Sequence, residues 1–384
     1  MIRGHVSLLI AGIVLATLCT TSFAQSDTGG PASGQKRDSE AKLEVDLDHG
    51  LSFTSSDGDT EIQLHFSSWL RWRGQYIGDD ANDWLSNFSV PLARPVLDAH
   101  FLDGRVRGFV QPELAGTRPR LVDLFVEATV TDSLKLRFGQ FRTPYSRAFI
   151  TPIVKLLFPD RGMVSDTFRL GRDTGIMASG SIPSSGLSYS IGVFNGATIN
   201  GDDSNDVRPM PVARLGYNLG DSVPYDQVPA AQSQAPGRGV AIGISAAYRR
   251  KRLVAPISAA QDSWHLGLDL SAMYGPLAVA GETFVRYRKT KGDTRVRELG
   301  SFLQAGLFVV STELEIATRA SWVDTEAGGP QKSYELGLNF YSRVNHRALG
   351  HHLKSSLQYA YFEADTSGQE TERHTLTFQS QMSF

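Results

Sequence analysis

The residues best suited to chemistry in this chain are eight cations within 38 positions: Lys135, Arg137, Arg142, Arg147, Lys155, Arg161, Arg169 and Arg172. Only Asp160 and Asp166 oppose them, so the stretch carries +6 in a chain whose formal total is −2. A guanidinium presents a planar fork of donors that matches phosphate or carboxylate two bonds at a time. Such a concentration of positive charge suits the handling of anions, and these eight form the candidate anion-binding set. Nucleophilic and metal chemistry find less support. Neither H-E-x-x-H nor G-x-S-x-G occurs. Adjacent His351 and His352 would point to opposite faces of a strand, a poor metal pair. Asp98 and His100, two apart on one strand face, read as a mutually satisfied pair. Asp202, Asp203 and Asp206 lack the Gly and closing Glu of a calcium loop and read as a solvated turn. The sequence therefore points to no catalytic residue, no metal, no cofactor and no enzyme.

The cations must be positioned by whatever flanks them. Leu134, Leu136, Phe138 and Gln140 alternate with Lys135, Arg137, Gly139 and Phe141, the period of two of a strand with two different faces. Residues 172–182 alternate in the same way. Between them lies an aperiodic segment of about thirty residues, rich in Pro, Arg and Phe. A connection of that length in a compact fold usually has a function, and this one is expected to fold inward and narrow a channel.

Composition narrows the class. The chain has 384 residues, 41% hydrophobic, and one cysteine, Cys19, which excludes a disulfide framework. A formal charge of −2 does not fit a nucleic-acid binder. Arg3, an apolar run from Val6 to Leu18 and small residues at Ser22 and Ala24 predict a signal peptide over residues 1–24. No later stretch approaches 18 apolar residues, so any membrane span must be made of strands.

Residues 25–59 read as a flexible periplasmic lead-in with at most one short strand, at Leu43–Leu47. From Thr60 to Phe384 the alternation is sustained. Strands are expected at 60–76, 94–103, 105–114, 121–131, 134–141, 172–182, 187–196, 208–219, 239–250, 264–274, 277–288, 297–309, 313–323, 332–344, 350–363 and 372–384. Residues 77–93 read as a loop carrying Asp79, Asp80 and Asp83. The even total and the alternation of tight and long connections predict an all-β, transmembrane antiparallel barrel of about 16 strands. With a periplasmic N-terminus, tight turns fall on the periplasmic side and most long loops outside, 220–238 being the exception. A secreted sandwich or lipocalin-like array is the soluble alternative.

Charged side chains on the lipid face cost about 2–4 kcal/mol near the midplane, so they should face the lumen. The expected inward set includes Arg71, Arg73, Arg105, Arg107, Lys135, Arg137, Arg286 and Arg288, together with Glu113, Asp123, Glu127, Glu282, Glu313 and Glu315. Trp69 interrupts the polar face of its strand. Basic residues also suit outer loops that meet anionic lipid and lipopolysaccharide.

At GQFRTPYS (Gly139–Ser146), GRDTGIMASG (Gly171–Gly180), GVFNGATINGDDSND (Gly192–Asp206) and SFLQAGLFVVSTELEIATRASWVD (Ser301–Asp324) the chain resembles the phosphate-selective porins of Gram-negative outer membranes. The terminal Phe384 on an alternating strand resembles the C-terminal signal of outer-membrane barrels. The resemblance implies a sixteen-stranded barrel, a homotrimer, an inward-folded loop and basic residues drawing anions through the constriction. In phosphate-specific relatives lysines and an arginine ladder line the path; this chain has only nine Lys, and those lysines find no position-by-position match. The expected function is passive passage of small anionic solutes such as phosphate or polyphosphate. A non-selective or plugged structural or adhesive barrel is the alternative.

Overall fold

The computed structural model describes residues 41–46, 50–77, 84–200, 208–228, 237–252, 260–290, 295–326, 328–344, 347–366 and 369–384. The expected signal peptide, Asp79, Asp80 and Asp83, and the Asp202–Asp206 turn lie outside these residues.

Alternating sequences become strands throughout. A hairpin of β1 (Lys42–Asp46) and β2 (Gly50–Thr54) precedes the long strands β3 (Glu61–Ile77) and β4 (Trp84–Phe101). Next come β5 (Val106–Glu113), β6 (Arg120–Thr131), β7 (Leu134–Arg142), β8 (Arg172–Ser181), β9 (Leu187–Phe194) and β10 (Met210–Gly220). The second half holds β11 (Arg238–Arg252), β12 (Ala260–Tyr274), β13 (Leu277–Thr290), β14 (Arg295–Val310), β15 (Leu314–Thr325) and β16 (Gly329–Tyr341). A small ribbon of β17 (Arg343–Val344) and β18 (Arg347–Ala348) leads to β19 (Leu353–Thr366) and β20 (Gln369–Ser383).

Each long strand pairs antiparallel with the next, and β20 returns to β3, with Phe378 opposite Trp72. That pairing closes a sixteen-stranded barrel and leaves no free edge along the seam. Outward positions are apolar and exposed, as on β12 with Leu266, Leu268 and Leu270. Inward positions are mostly polar or small, with Phe125, Phe141, Phe194 and Phe284 as buried aromatic exceptions.

Phe384 seals the seam: its N–H and carbonyl both bond Phe66, at 3.0 and 2.8 Å, and the two rings lie 5.9 Å apart. Deleting Phe384 removes two backbone bonds, each worth about 0.5–1.5 kcal/mol, beside the last pair of the closing register. The expected result is a lower folded fraction during refolding into vesicles, read as less heat-modifiable protein on a gel, with Phe384→Tyr close to wild type.

Three expectations need correction. The lead-in contributes two strands, since β2 pairs with Glu61–Leu64 of β3 below the seam. Residues 84–93 form strand rather than loop, because Trp84–Leu92 pairs with Trp69–Tyr76. Pro91 disguised that strand; it sits where Val90 and Pro91 together oppose Leu70 in a bulge, a site that needs no amide hydrogen. Arg105 and Glu313 lie in turns rather than strands.

Tight turns gather at one rim, at 102–105, 132–133, 182–186, 275–276 and 311–313. The segment after β10 and the stretch between β16 and β19 are the longer connections there. The remaining connections, including residues 143–171, belong to the opposite rim.

Candidate functional site

The β7–β8 connection folds into the barrel, as its length led us to expect. Its neck is pinned where Thr143 donates through its amide and its hydroxyl to the Gly171 carbonyl, at 3.1 and 2.9 Å. Just below, Arg142 and Arg172 are direct cross-strand partners. Short helices α1 (Arg147–Ile150) and α2 (Met163–Phe168) stiffen the segment. Ser146 caps α1 by accepting from the Phe149 amide and donates to Glu282 on β13. The Ala148 amide also donates to Glu282, at 2.5 Å.

From there the loop follows the inside of the wall. Tyr145 donates to the Leu266 carbonyl, and Lys354 donates to the carbonyls of Leu156 and Leu157 at 2.7 and 3.1 Å. Gln381 donates to Val154. Asp160 receives Arg71 at 3.1 Å and Arg73 at 2.5 Å, while Arg319 donates to its carbonyl and Arg286 to that of Thr167. Strands on much of the circumference thus hold one segment, which explains why so many inward polar groups belong to β3, β13, β15 and β19.

Under the loop lies an apolar core inside the lumen, including Phe125, Phe141, Tyr145, Phe168, Phe194 and Phe284. The rings of Phe168 and Phe284 stack at 5.6 Å. Phe125 and Phe194 lie close over the paired Gly139 and Gly175; a Cβ on Gly175 would meet the Phe194 ring at 2.6 Å. This core went unread in the sequence, although Phe141 on the same face as Lys135 and Arg137 was its signal.

A second segment enters from the turn rim. Val223, Asp226 and Val228 are buried, and Gln227 exchanges two bonds with the loop, its amide to the Lys155 carbonyl and its Oε1 from the Leu157 amide. Burial alone would raise the Asp226 carboxyl, but His351 at 3.0 Å, the Val228 amide and Lys155 more than offset this and hold it below its ordinary 3.8. Residues 221–228 are therefore part of the lumen's filling.

The eight candidate cations separate into two kinds. Five meet carboxylates: Lys135 and Arg137 reach Glu127 at 3.8 and 2.5 Å, Lys155 reaches Asp226 at 3.9 Å, Arg169 reaches Asp166 at 2.9 Å, and Arg172 reaches Asp123 at 2.9 Å. The other three donate to carbonyls. Arg142 bonds Ile150, Arg161 bonds Ala148, Phe149 and Thr151, and Arg147 bonds Val223 and Pro224 while lying 4.6 Å over the Tyr225 ring. A carbonyl satisfies a donor without cancelling its charge.

Guanidinium groups gather around Phe149, Arg161 among them with its donors on carbonyls and Arg169 and Arg172 each beside a carboxylate. The guanidinium carbons of Arg161, Arg169 and Arg172 lie 5.3, 5.7 and 5.9 Å from its ring. Burial, with Arg172, Arg169 and Arg94 nearby, pushes the Arg161 guanidinium down to about 9. Among the described residues, Nε of Arg142 and Nη2 of Arg172 are buried donors with no hydrogen-bond partner. Like charges directly opposite each other on neighbouring strands destabilise a sheet. Two such groups with idle buried donors are a place where an anion would relieve both costs.

Of the other expected inward cations Arg107, Arg286 and Arg288 are paired, as is Arg94, which the sequence reading had not singled out. Arg107 meets Asp98, which His100 also meets at 3.1 Å; Arg94 meets Glu113; Arg286 and Arg288 share Glu298. Trp69 is buried and donates to Gln381 rather than facing lipid. His351 and His352 sit on a tight turn, not a strand.

Residues 103–384 match the family model described as phosphate-selective porin O and P. No curated protein shows a sequence match to this chain. Among solved structures, the anion-selective porin from Comamonas acidovorans is similar at 13% identity and a TM-score of 0.57, over 85% of this chain and 100% of that one. The outer membrane channel DcaP of Acinetobacter baumannii is similar at 11% and 0.57, over 86% and 99%. The trimer form of OmpT, an outer membrane protein of Vibrio cholerae, is similar at 11% and 0.56, over 84% and 99%.

Proposed function

The chain belongs to the phosphate-selective porin O and P family, a porin of the Gram-negative outer membrane, and from that premise we propose that it passes small anionic solutes, phosphate- or polyphosphate-like, by passive diffusion. One observation carries the reading: the facing pair Arg142 and Arg172, each with an idle buried donor, lies beside Arg161, whose charge no carboxylate cancels. Arg147, whose donors end on carbonyls, adds to the potential that steers anions inward, while Lys135, Arg137 and Lys155, each beside a carboxylate, hold the scaffold. Each contact is weak and replaceable, which allows passage rather than capture. The likeness in fold to an anion-selective porin and to an outer membrane protein in trimer form supports anion preference and a homotrimer.

The test is the reversal potential across a planar bilayer under a chloride gradient, repeated with phosphate added. The expected result is anion selectivity with chloride current reduced by phosphate. A cation-selective pore would overturn the reading. The second reading, a plugged structural barrel, is favoured by the two segments that meet inside the lumen, and it predicts no conductance.

A further inference from the structure

The lumen holds another polar site at its turn rim, at the opposite end of β7 from Arg142. Across β7 to β10, Lys135, Ser179, Ser190 and Arg214 are successive cross-strand partners. One step nearer the turns, Ser181 faces Ser188, and Ser188 faces Gly216. Met177 and Phe194, on the same faces of β8 and β9, belong to the apolar core inside the lumen, so these serines point inward too. Tyr225, from the segment that enters at this rim, and Asp132, from the turn before β7, complete the lining of an open pocket of about 280 Å³. The apolar part of the entering segment leans elsewhere: Val223 packs with Ala241 and Met273 on β11 and β12.

Hydroxyls dominate the lining, and each can donate one hydrogen bond and accept two. Among the described residues the side chains of Ser179, Ser181, Ser190 and Asp132 engage no partner, and Ser188 reaches only the Gly216 carbonyl, at 3.4 Å. Tyr225 offers an apolar ring with a polar tip. Arg147 lies 4.6 Å over that ring and Arg214 is within hydrogen-bonding reach of Tyr225, which is still 39% exposed. Charge is sparse. Arg214 gives both Nη atoms to Asp269, and among the described residues its buried Nε has no partner. Lys135 is half exposed and stands 3.8 Å from Glu127, beyond hydrogen-bond length, while Arg137 holds that carboxylate through Oε2. The Lys135 ammonium is thus able to meet one anionic group. Inorganic phosphate would find one available cation and one acid here and leave the serines idle. A hydroxylated solute with a single phosphate would engage both.

We propose that this turn-rim pocket binds a sugar phosphate. The phosphate lies on Lys135 beside Arg214, the hydroxyls on Ser179, Ser190 and Asp132, and the ring against Tyr225. A volume close to the lower bound of small-molecule pockets, about 300 Å³, suits one sugar ring rather than a chain. The inference rests on the anion-passing reading and narrows it to a class of solute.

The experiment is isothermal titration of the purified full-length protein in detergent with glucose 6-phosphate, inorganic phosphate and glucose. Glucose 6-phosphate should bind about tenfold more tightly than inorganic phosphate, and glucose more weakly than either. In S179A/S190A the sugar phosphate should fall to the level of inorganic phosphate, whose own affinity stays unchanged, because two hydroxyls are lost and no charge. Heat-modifiable migration shows that the variant is folded. The reversal potential in a planar bilayer reads the underlying function separately, and the double variant should match wild type. Equal affinity of wild type for the two phosphates, or an undiminished preference in the double variant, would overturn this site, while an anion-selective reversal potential would spare the reading it rests on. A cation-selective reversal potential would overturn both.

Discussion

Replacing Arg142 and Arg161 together with Gln should lower the chloride-over-potassium permeability ratio by about 2- to 30-fold for each charge removed. The range follows from Coulomb's law for an anion about 8 Å away, with an effective dielectric constant between about 80 and 20. These two are the informative targets because their donors end on carbonyls, at Ile150 and at Ala148, Phe149 and Thr151. Glutamine keeps a donor for those carbonyls while removing the charge, so the loop should keep its course. Arg137→Gln is the contrast. Arg137 is matched by Glu127, and its removal takes away a cation but leaves a buried carboxylate. It should therefore cost stability as well as selectivity. Reversal potentials with single-channel currents separate these cases. An unchanged ratio in the double variant would remove the Phe149 cluster from the pathway.

The second large effect concerns what holds the loop across the lumen. Lys354 is 4% exposed and gives its ammonium to the Leu156 and Leu157 carbonyls. Asn339 adds a bond to Leu157. Glu315, buried among Asn339 and Tyr341, lies within Coulombic reach of Lys354. Lys354→Met removes two charge-assisted bonds and leaves a buried carboxylate without its nearby cation, a loss of about 3–5 kcal/mol. The loop is the cheapest element to release, since the wall strands are locked on both sides by their neighbours. Unitary conductance should rise, with more open-channel noise, and the melting temperature should fall. Lys354→Arg should retain most of the wild-type behaviour. Adding Glu315→Gln to Lys354→Met should recover part of the stability, because the uncompensated charge is gone. Wild-type conductance and noise in Lys354→Met would show that the loop is held elsewhere.

Strand order, closure and the polar and apolar faces were legible in the chain because a period of two is a local property. Leu266, Leu268 and Leu270 must face lipid wherever their neighbours lie, and sixteen such segments with alternating tight and long connections have one closed solution. The basic loop, too, was visible as charge and length. Its course was not. Whether Arg137 or Arg161 keeps a net charge depends on which group from another strand or loop stands beside it, and Glu127 and the Ala148 carbonyl differ in that effect while carrying no signature of proximity. The inward Phe125, Phe141 and Phe284 look like errors in alternation until the loop brings Phe168 and Tyr145 against them. Residues 221–228 read as an unstructured connection because their partners, Lys155, Leu157 and His351, lie about 70 to 125 positions away. The sequence by itself determined a membrane barrel with a cationic loop. Tertiary structure alone decided which cations are cancelled, since that rests on contacts between residues far apart in the chain.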